Sequence, residues 1–137
     1  MTHAGKRIFL DTNVVLAIMF NQKAAVDKLA DFANYQFCIS RLVYVEIFAG
    51  AHLKDKPDTH KFLNRFIVLP FSEKGQKQAV NLSRLFFIGR ERKPYDLLIA
   101  AHAIGEQIPI ITKNVKDFEI YPEIKLFNFS TGKWVKN

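Results

Sequence analysis

Two apolar segments of the sequence end abruptly in polar residues whose types could do chemistry. Asp11-Thr12-Asn13 follows the run Ile8-Phe9-Leu10, while Thr112-Lys113-Asn114 follows the run 108–111, with Asp117 three residues further on. Their carboxylate, hydroxyl and amide oxygens are groups that bind a hard divalent cation or orient water. The same residue types cap helices and form turns, which is the simpler explanation of each residue taken singly.

Glu46 is a further carboxylate, and it lies in an apolar stretch of a predicted helix. Its neighbours three and four positions away are all uncharged. This pattern predicts a carboxylate within an apolar stripe, which should either be paired or have a shifted pKa, since burying an isolated charge is costly. A solvent-facing Glu46, or one paired with a distant Lys or Arg, is an equal alternative to a functional role.

Asp96 lies two residues after Pro94, in the first turn of another predicted helix. A negative charge is favoured there by the helix dipole, which suffices to explain Asp96 taken alone. However, Asp96 shares a helix face with Ile99, Ala100 and Ala103, and the two small alanines allow close packing against a neighbour. We therefore expect Asp96 at the rim of the core rather than on the outer surface.

If these acids converge, a structural role alone does not explain them. Two carboxylates about 4 Å apart repel by roughly 4 kcal/mol at an effective dielectric constant of 20. Protonation or a divalent cation would relieve this repulsion, and oxygen ligands select Mg²⁺ or Mn²⁺ over zinc. Such ions polarise phosphoryl oxygens and acidify water, as in metal-dependent nucleases. Several cations nearby in sequence could hold substrate phosphates, although a solvated surface is the simpler explanation of each taken singly: Arg90, Arg92, Lys93, Lys113 and Lys116.

The elements that must position these residues alternate between strands and helices. Strands are predicted at 8–10, 36–39, 67–69, 108–111 and 125–127. Helices are predicted at 14–20, 24–34, 41–52, 57–66, from a Ser72 cap to 88, and from Pro94 to about 105, with Ser40 as a second cap. This order predicts an α/β fold with a mostly parallel sheet. Ligands bind outside the carboxyl ends of such strands, where both polar segments would lie.

Composition narrows the class of protein. The 137 residues fit one domain, 1–137 with a core of about 6–128, and 20 Lys and Arg against 13 Asp and Glu give a net charge of +7. This excess suggests a polyanionic partner such as nucleic acid.

A single Cys argues against a disulfide framework or a thiolate zinc site and favours a reducing compartment. The longest apolar stretch, Val14–Phe20, is short of the ~20 residues that span a membrane. We expect a soluble, cytoplasmic protein without a signal peptide.

Taken together, the motifs resemble the PIN-domain family, and in particular the VapC-type toxins of prokaryotic toxin–antitoxin pairs. The resemblance covers nearly the whole chain, and its specificity comes from the order and spacing of four motifs rather than from any one of them. The motifs are Phe9-Leu10-Asp11-Thr12-Asn13-Val14, then Val45-Glu46-Ile47 with Gly50-Ala51, then Asp96-Leu97-Leu98-Ile99-Ala100-Ala101, and finally Thr112-Lys113-Asn114-Val115-Lys116-Asp117-Phe118.

The resemblance implies a three-layer α/β/α sandwich and a metal-dependent endoribonuclease. It implies that water attacks an RNA phosphodiester in line, leaving a 5′-phosphate and a 3′-hydroxyl. The implied ligands of Mg²⁺ or Mn²⁺, which are also the catalytic residues, are Asp11, Glu46, Asp96 and Asp117. The residues implied to orient these acids, water or substrate are Thr12, Asn13, Thr112 and Asn114. The cations expected from their place in the sequence to contact substrate are Arg92, Lys93 and Lys113.

The resemblance also implies partners. They are an RNA substrate (tRNA, rRNA or mRNA), a second copy of the chain in a homodimer, and a small VapB-like antitoxin whose tail lies across the acidic pocket. No membrane is implied. The sequence departs from many relatives at the fourth acid, because Asn114 stands where they carry Asp and Asp117 follows three residues later. Either Asn114 or Asp117 could therefore be the fourth ligand.

Two other classes of protein remain as alternatives. A catalytically silent PIN module would use the basic surface to hold RNA or a protein, with affinity that falls with salt but no turnover. A phospho-acceptor domain would use Asp11 as its nucleophile at a strand end. Dehalogenase-type phosphatases carry an acid two residues after that nucleophile, whereas this chain has Asn13. The sequence therefore favours the nuclease.

Overall fold

The computed structural model describes residues 5–20, 22–89 and 93–137. Strands and helices alternate along most of the chain. The strands are β1 (Arg7–Leu10), β2 (Gln36–Ser40), β3 (Ile67–Leu69), β4 (Ile110–Thr112), β5 (Leu126–Asn128) and β6 (Lys133–Lys136). The helices are α1 (Thr12–Phe20), α2 (Gln22–Lys28), α3 (Arg41–Gly50), α4 (Lys56–Leu63), α5 (Glu73–Leu85) and α6 (Pro94–Glu106). Short 3₁₀ turns cover Ala30–Phe32, Leu53–Asp55 and Val115–Asp117.

The strands form one sheet in the order β3-β2-β1-β4-β5-β6, parallel throughout except for the antiparallel pair β5–β6. The chain moves outward from β1 to β3 and then crosses to β4 on the other side of β1. Connections between parallel strands are almost always right-handed. Because the connections run in one direction from β1 to β3 and in the other from β3 to β5, this rule places helices on both faces of the sheet. The predicted α/β fold with a mostly parallel sheet and three layers is therefore confirmed. Its switch point lies between β1 and β4, where open α/β sheets bind ligands.

The predicted caps are confirmed. The Ser40 side chain accepts a hydrogen bond from the Leu42 N–H, and Ser72 accepts one from the Gly75 N–H, both at 3.1 Å. Each bond satisfies a donor that the first turn of a helix leaves free. Pro94 occupies the first position of α6, where its missing N–H leaves no gap in the helix.

Several predicted boundaries are wrong. The helix expected to reach residue 88 ends at Leu85, α3 ends at Gly50 rather than residue 52, and α4 ends at Leu63 rather than residue 66. The helix expected at 24–34 gives way to a 3₁₀ turn at its end. β6 was not predicted, because its four residues, Lys-Trp-Val-Lys, lack the alternation of apolar and polar side chains that indicates a strand. Antiparallel pairing with β5 makes this segment a strand.

The core lies between the sheet and its helices. β1 and β4 contribute fully buried Ile and Leu side chains, and Cys38 of β2 is a buried free thiol. The two longest helices, α5 and α6, pack so closely that Gly105 lies directly against the backbone of Lys74 and Gly75. Within the described ranges, no helix combines the length and hydropathy required to cross a bilayer.

Candidate active site

Strands β1 and β4 bring the two polar segments of the sequence to one place. The two strands pair in parallel, with Leu10 opposite Ile111. The backbone N–H of Asp11 then donates to the Ile111 carbonyl at 3.0 Å, so Asp11 continues the ladder by one residue. Thr112 is the last residue of β4. Both therefore lie at the carboxyl edge of the sheet, at the switch point of the topology.

Asp11 is the most enclosed acid of this site, with only 4% of its surface exposed. Its Oδ1 accepts a hydrogen bond from the Thr12 N–H at 2.8 Å, and its Oδ2 accepts one from the Thr112 hydroxyl at 2.7 Å. Burial raises the pKa of Asp11 to about 6; these two hydrogen bonds oppose the shift, and the charges of Asp96 and Glu46 add to it. The carboxylate is thus fixed in orientation while its charge remains uncompensated.

Thr112 connects Asp11 to the loop that follows β4. While its hydroxyl donates to Asp11, the same oxygen accepts from the Asn114 N–H at 2.9 Å and from the Asn13 Nδ2 at 3.5 Å. The Asn13 Oδ1 in turn accepts from the Lys113 N–H at 3.1 Å. The side chains predicted to support Asp11 therefore tie the loop after β4 to the start of α1.

Glu46 reaches this edge from α3, where its Oε1 accepts a hydrogen bond from the Thr12 hydroxyl at 2.7 Å. The prediction that Glu46 lies in an apolar stripe is wrong, because its side chain is exposed. α3 buries Val43, Tyr44 and Ile47 instead, so the helix is rotated away from the face assumed for Glu46. The hydroxyl of Thr12, and not an apolar surround, fixes the position of this carboxylate.

Asp96 occupies the first turn of α6 and is partly buried, as expected for a residue at the rim of the core. Partial burial raises the pKa of Asp96 to about 6, with further contributions from the negative charges of Asp117 and Glu46 and an opposing one from Lys93. Asp117 belongs to the 3₁₀ turn after Asn114. Charge interactions thus link Asp11, Glu46 and Asp96, and Asp117 joins this group through Asp96.

Three of the four remaining residues predicted to support the acids or the substrate are described by the structure. Lys93 is exposed at the amino end of α6, where its charge acts on Asp96. Lys113 is exposed beside the site, and its Nζ lies 5.7 Å from the centre of the Phe129 ring. Asn114 is exposed and precedes the turn that carries Asp117. Arg92 lies outside the described residues.

The donor set fits a hard divalent cation in an open site. In the part of the chain that the structure describes, no three Asp, Glu, His or Cys side chains stand close enough together to enclose an ion. Mg²⁺ does not need such a cage, because it usually keeps several waters and is held by one or two carboxylates together with substrate phosphates. The raised pKa values of Asp11 and Asp96 are an independent sign of carboxylates that lack a compensating charge.

Tyr95 is a positioning residue that the sequence analysis missed. Its hydroxyl donates to the Leu42 carbonyl at 2.6 Å and so joins the first turn of α6 to the first turn of α3. That carbonyl lies one helical turn before Glu46, and Tyr95 directly precedes Asp96. Burial, and then the charge of Glu46, raises the pKa of Tyr95. A Tyr beside a predicted acid gives no sequence signal for a bond to a carbonyl 53 residues away.

His102 and Ser40 form a second link between these helices. The buried His102 Nδ1 lies 2.7 Å from the Ser40 hydroxyl, and burial lowers the pKa of the imidazole. Its ring packs against Phe9 and Phe71. His102 therefore belongs to the core behind the site, in keeping with its lack of ligand-like spacing in the sequence.

Replacing Tyr95 by Phe should lower the free energy of unfolding by about 1 kcal/mol, since one hydrogen bond is lost and the ring is retained. Leu42 keeps its helical hydrogen-bond partner, so no buried acceptor is orphaned. Urea denaturation measures the change. Tyr35→Phe is the matched control, because the Tyr35 hydroxyl makes no hydrogen bond within the described residues. Equal stability of the two variants would contradict the role of the Tyr95 hydroxyl.

Comparisons with known proteins identify the family. The PIN domain model matches residues 8–123. The "Ribonuclease VapC2" of Rickettsia felis is 31% identical over 132 residues, covering 88% of this chain and 96% of its own. The "tRNA(fMet)-specific endonuclease VapC" of Shigella flexneri is 27% identical over 119 residues, with coverages of 82% and 90%. A crystal structure of VapBC2 from Rickettsia felis bound to a promoter DNA fragment superimposes with a TM-score of 0.72 at 28% identity, covering 89% of this chain and 98% of that one. With Asp11 and Asp96 at the carboxyl edge of such a sheet, this chain belongs to the PIN-domain family.

Proposed function

We propose that this chain is a metal-dependent endoribonuclease of the VapC type and the toxin of a toxin–antitoxin pair. The observation that carries the proposal is the pair of carboxylates with raised pKa values, Asp11 and Asp96, at the switch point of a PIN-domain sheet. Curated relatives named as ribonucleases and endonucleases support the same chemistry. The four acids proposed to act on metal and substrate are Asp11, Glu46, Asp96 and Asp117.

Mg²⁺ or Mn²⁺ is the proposed cofactor. A divalent cation held here would neutralise part of the phosphate charge, polarise a phosphoryl oxygen and make water more acidic. The protein's part is to present oxygens in a fixed geometry. Thr112 and the Thr12 N–H fix both oxygens of Asp11, and the Thr12 hydroxyl fixes one oxygen of Glu46. Asp96 lies close enough for its charge to act on Asp11, which supports a shared role of the two carboxylates.

The residues around the acids have distinct proposed tasks. Asn13 holds the Lys113 backbone, so that loop and acid keep a constant separation while a substrate binds. Lys93, Lys113 and Arg92 would contact phosphates, and Asn114 would support either the metal or a phosphate. Asp117 is proposed as an outer acid that acts on Asp96 through its charge.

The proposed partners follow from the same family. RNA is the proposed substrate, whether tRNA, rRNA or mRNA. A small VapB-like protein is the proposed inhibitor, supported by the solved VapBC complexes that this chain resembles in fold. We also propose that the chain forms a homodimer and acts in the cytoplasm, where an RNA substrate and an antitoxin would meet it.

Purified protein should cleave unlabelled cellular RNA in Mg²⁺ or Mn²⁺ and lose that activity in EDTA, because phosphate and carboxylate charges then face each other without compensation. Gel analysis of total RNA, followed by end mapping, measures this. Restoring Mg²⁺ after chelation should restore cleavage, which controls for loss of the fold. Full cleavage in EDTA would contradict the proposal, and RNA binding without any turnover would favour the silent PIN module.

Metal affinity should increase as the pH rises through about 6, because Asp11 and Asp96 must both be ionised to bind a cation and each has a pKa of about 6 in the metal-free chain. Binding near that pH should release protons. Isothermal titration with Mn²⁺ in two buffers of different ionisation enthalpy measures the protons released. An affinity that is constant between about pH 5 and pH 7 would contradict these carboxylates as the ligands.

A further inference from the structure

A buried aromatic ring adjoins the acidic site on its β5 side. The backbone N–H of Phe129 donates to the Thr112 carbonyl at 2.9 Å, so Phe129 is one hydrogen bond away from the residue that fixes Asp11. Only 2% of Phe129 is exposed. The side chains that cover this ring therefore lie beside the candidate active site.

Two lysines from separate elements cover the ring. The Nζ of Lys28, the last residue of α2, lies 5.1 Å from the ring centre, and the Nζ of Lys113, in the loop after β4, lies 5.7 Å from it. Both side chains are exposed. Neither has a carboxylate oxygen within 4 Å among the described residues, where the ion pair found is Lys77–Glu73.

Covering a phenyl ring explains only part of this arrangement. The methylene stems of lysines shield apolar surface, and a cation over a ring face is favourable. However, both ammonium groups lie within 5.7 Å of the same ring centre, and neither has a carboxylate partner among the described residues. Two cations without acidic partners beside the candidate active site attract an anion.

We propose that Lys28 and Lys113 form a binding position for the sugar–phosphate backbone of single-stranded RNA, on the β5 side of the acidic site. The inference rests on the proposed function and adds Lys28, which lies 85 positions from Lys113 in the sequence and far from every motif. Lys93 acts on Asp96 from the α6 side. Lys113 directly follows Thr112, which bonds to Asp11. A strand held by Lys93 and by this pair would therefore run past both acids.

The test measures RNA binding without cleavage. In an Asp96→Asn background with EDTA, Lys28→Gln/Lys113→Gln keeps the Cβ and Cγ methylenes of each side chain and removes both charges. We expect the affinity for a short unstructured RNA to fall about tenfold at moderate salt. The slope of log affinity against log salt should decrease by about 1.4, since each phosphate contact in a single strand contributes about 0.7. Fluorescence anisotropy over a salt series measures both quantities.

Lys74→Gln/Lys125→Gln is the matched control, because it removes the same net charge from exposed lysines at the amino-terminal edge of the sheet. It should leave the salt slope unchanged, and Lys28→Arg/Lys113→Arg should restore binding. Equal losses from both glutamine pairs, or no loss from the first, would overturn the inference. If the unsubstituted chain cleaves no RNA but the first pair still reduces the slope, the proposed function fails and this binding position stands.

Discussion

Asp96→Asn should reduce RNA cleavage by about 10³-fold, or ~4 kcal/mol of transition-state stabilisation, and should make the folded protein more stable at neutral pH. The loss of activity follows because an amide cannot supply the negative oxygen that a divalent cation needs. The gain in stability follows because the fold partly buries this carboxylate and places it near the charges of Asp117 and Glu46, which together raise its pKa to about 6. One substitution is thus expected to move activity and stability in opposite directions.

The sign of the stability change depends on pH. Asp96 has a pKa raised from 3.8 to about 6, so the folded state disfavours its charged form. This destabilisation is complete above about pH 6 and disappears as the pH falls below 3.8, where the group is protonated in the folded and unfolded states alike. Asp96→Asn should therefore be more stable than the parent by about 1 kcal/mol at pH 7, after allowance for partial exposure. At roughly pH 3 the two should be equal.

Initial rates of RNA cleavage and urea denaturation at both pH values measure these effects. Asp58→Asn is the matched control, because it makes the same chemical change at an exposed carboxylate of α4. Its cleavage rate should stay close to that of the parent. Persistent cleavage by Asp96→Asn would remove the central acid from the proposed mechanism, whereas a loss of both activity and stability would point to a structural role for Asp96.

Gly105→Ala should destabilise the fold by about 2 kcal/mol and lower the melting temperature by roughly 8 °C. A Cβ at this position would lie 2.7 Å from the Gly75 backbone nitrogen and from the Lys74 carbonyl carbon, and 2.8 Å from the Lys74 oxygen. All three contacts are with backbone atoms, so no side-chain rotation relieves them and α5 must move away from α6. The helix propensity gained from Ala offsets only about 1 kcal/mol of that strain.

Gly50→Ala provides the matched control for Gly105→Ala. Gly50 is the last residue of α3, and a Cβ there meets no atom within 4 Å. We expect this variant to equal the parent in stability or exceed it by up to about 1 kcal/mol. Thermal unfolding followed by circular dichroism compares the three proteins. A Gly105→Ala protein as stable as Gly50→Ala would show that the backbones of α5 and α6 are not in contact at this point.

Local rules account for the parts of the site that the sequence predicted well. Asp11 ends a short apolar strand and Asp96 begins a helix behind Pro94, and both features depend on neighbouring residues alone. Glu46 shows where such rules fail. Its helix was predicted, but which face of α3 is buried depends on the sheet and on α6, and these lie far away in sequence. The prediction that Glu46 lies in an apolar stripe was therefore wrong. Its hydrogen bond from Thr12 joins residues 34 positions apart, so it could be seen only in the folded chain.

The sequence by itself determined the alternation of strands and helices, the caps at Ser40 and Ser72, and the positions at which acids leave the apolar runs. These follow from hydrophobic periodicity and from the backbone donors that each helix end exposes. Only the tertiary structure decided that Thr112 bonds to Asp11 across 101 positions, that Tyr95 joins α6 to α3, and that β6 exists. The physical reason is that strand order and helix packing are set by contacts between distant segments, whose energies no local pattern contains.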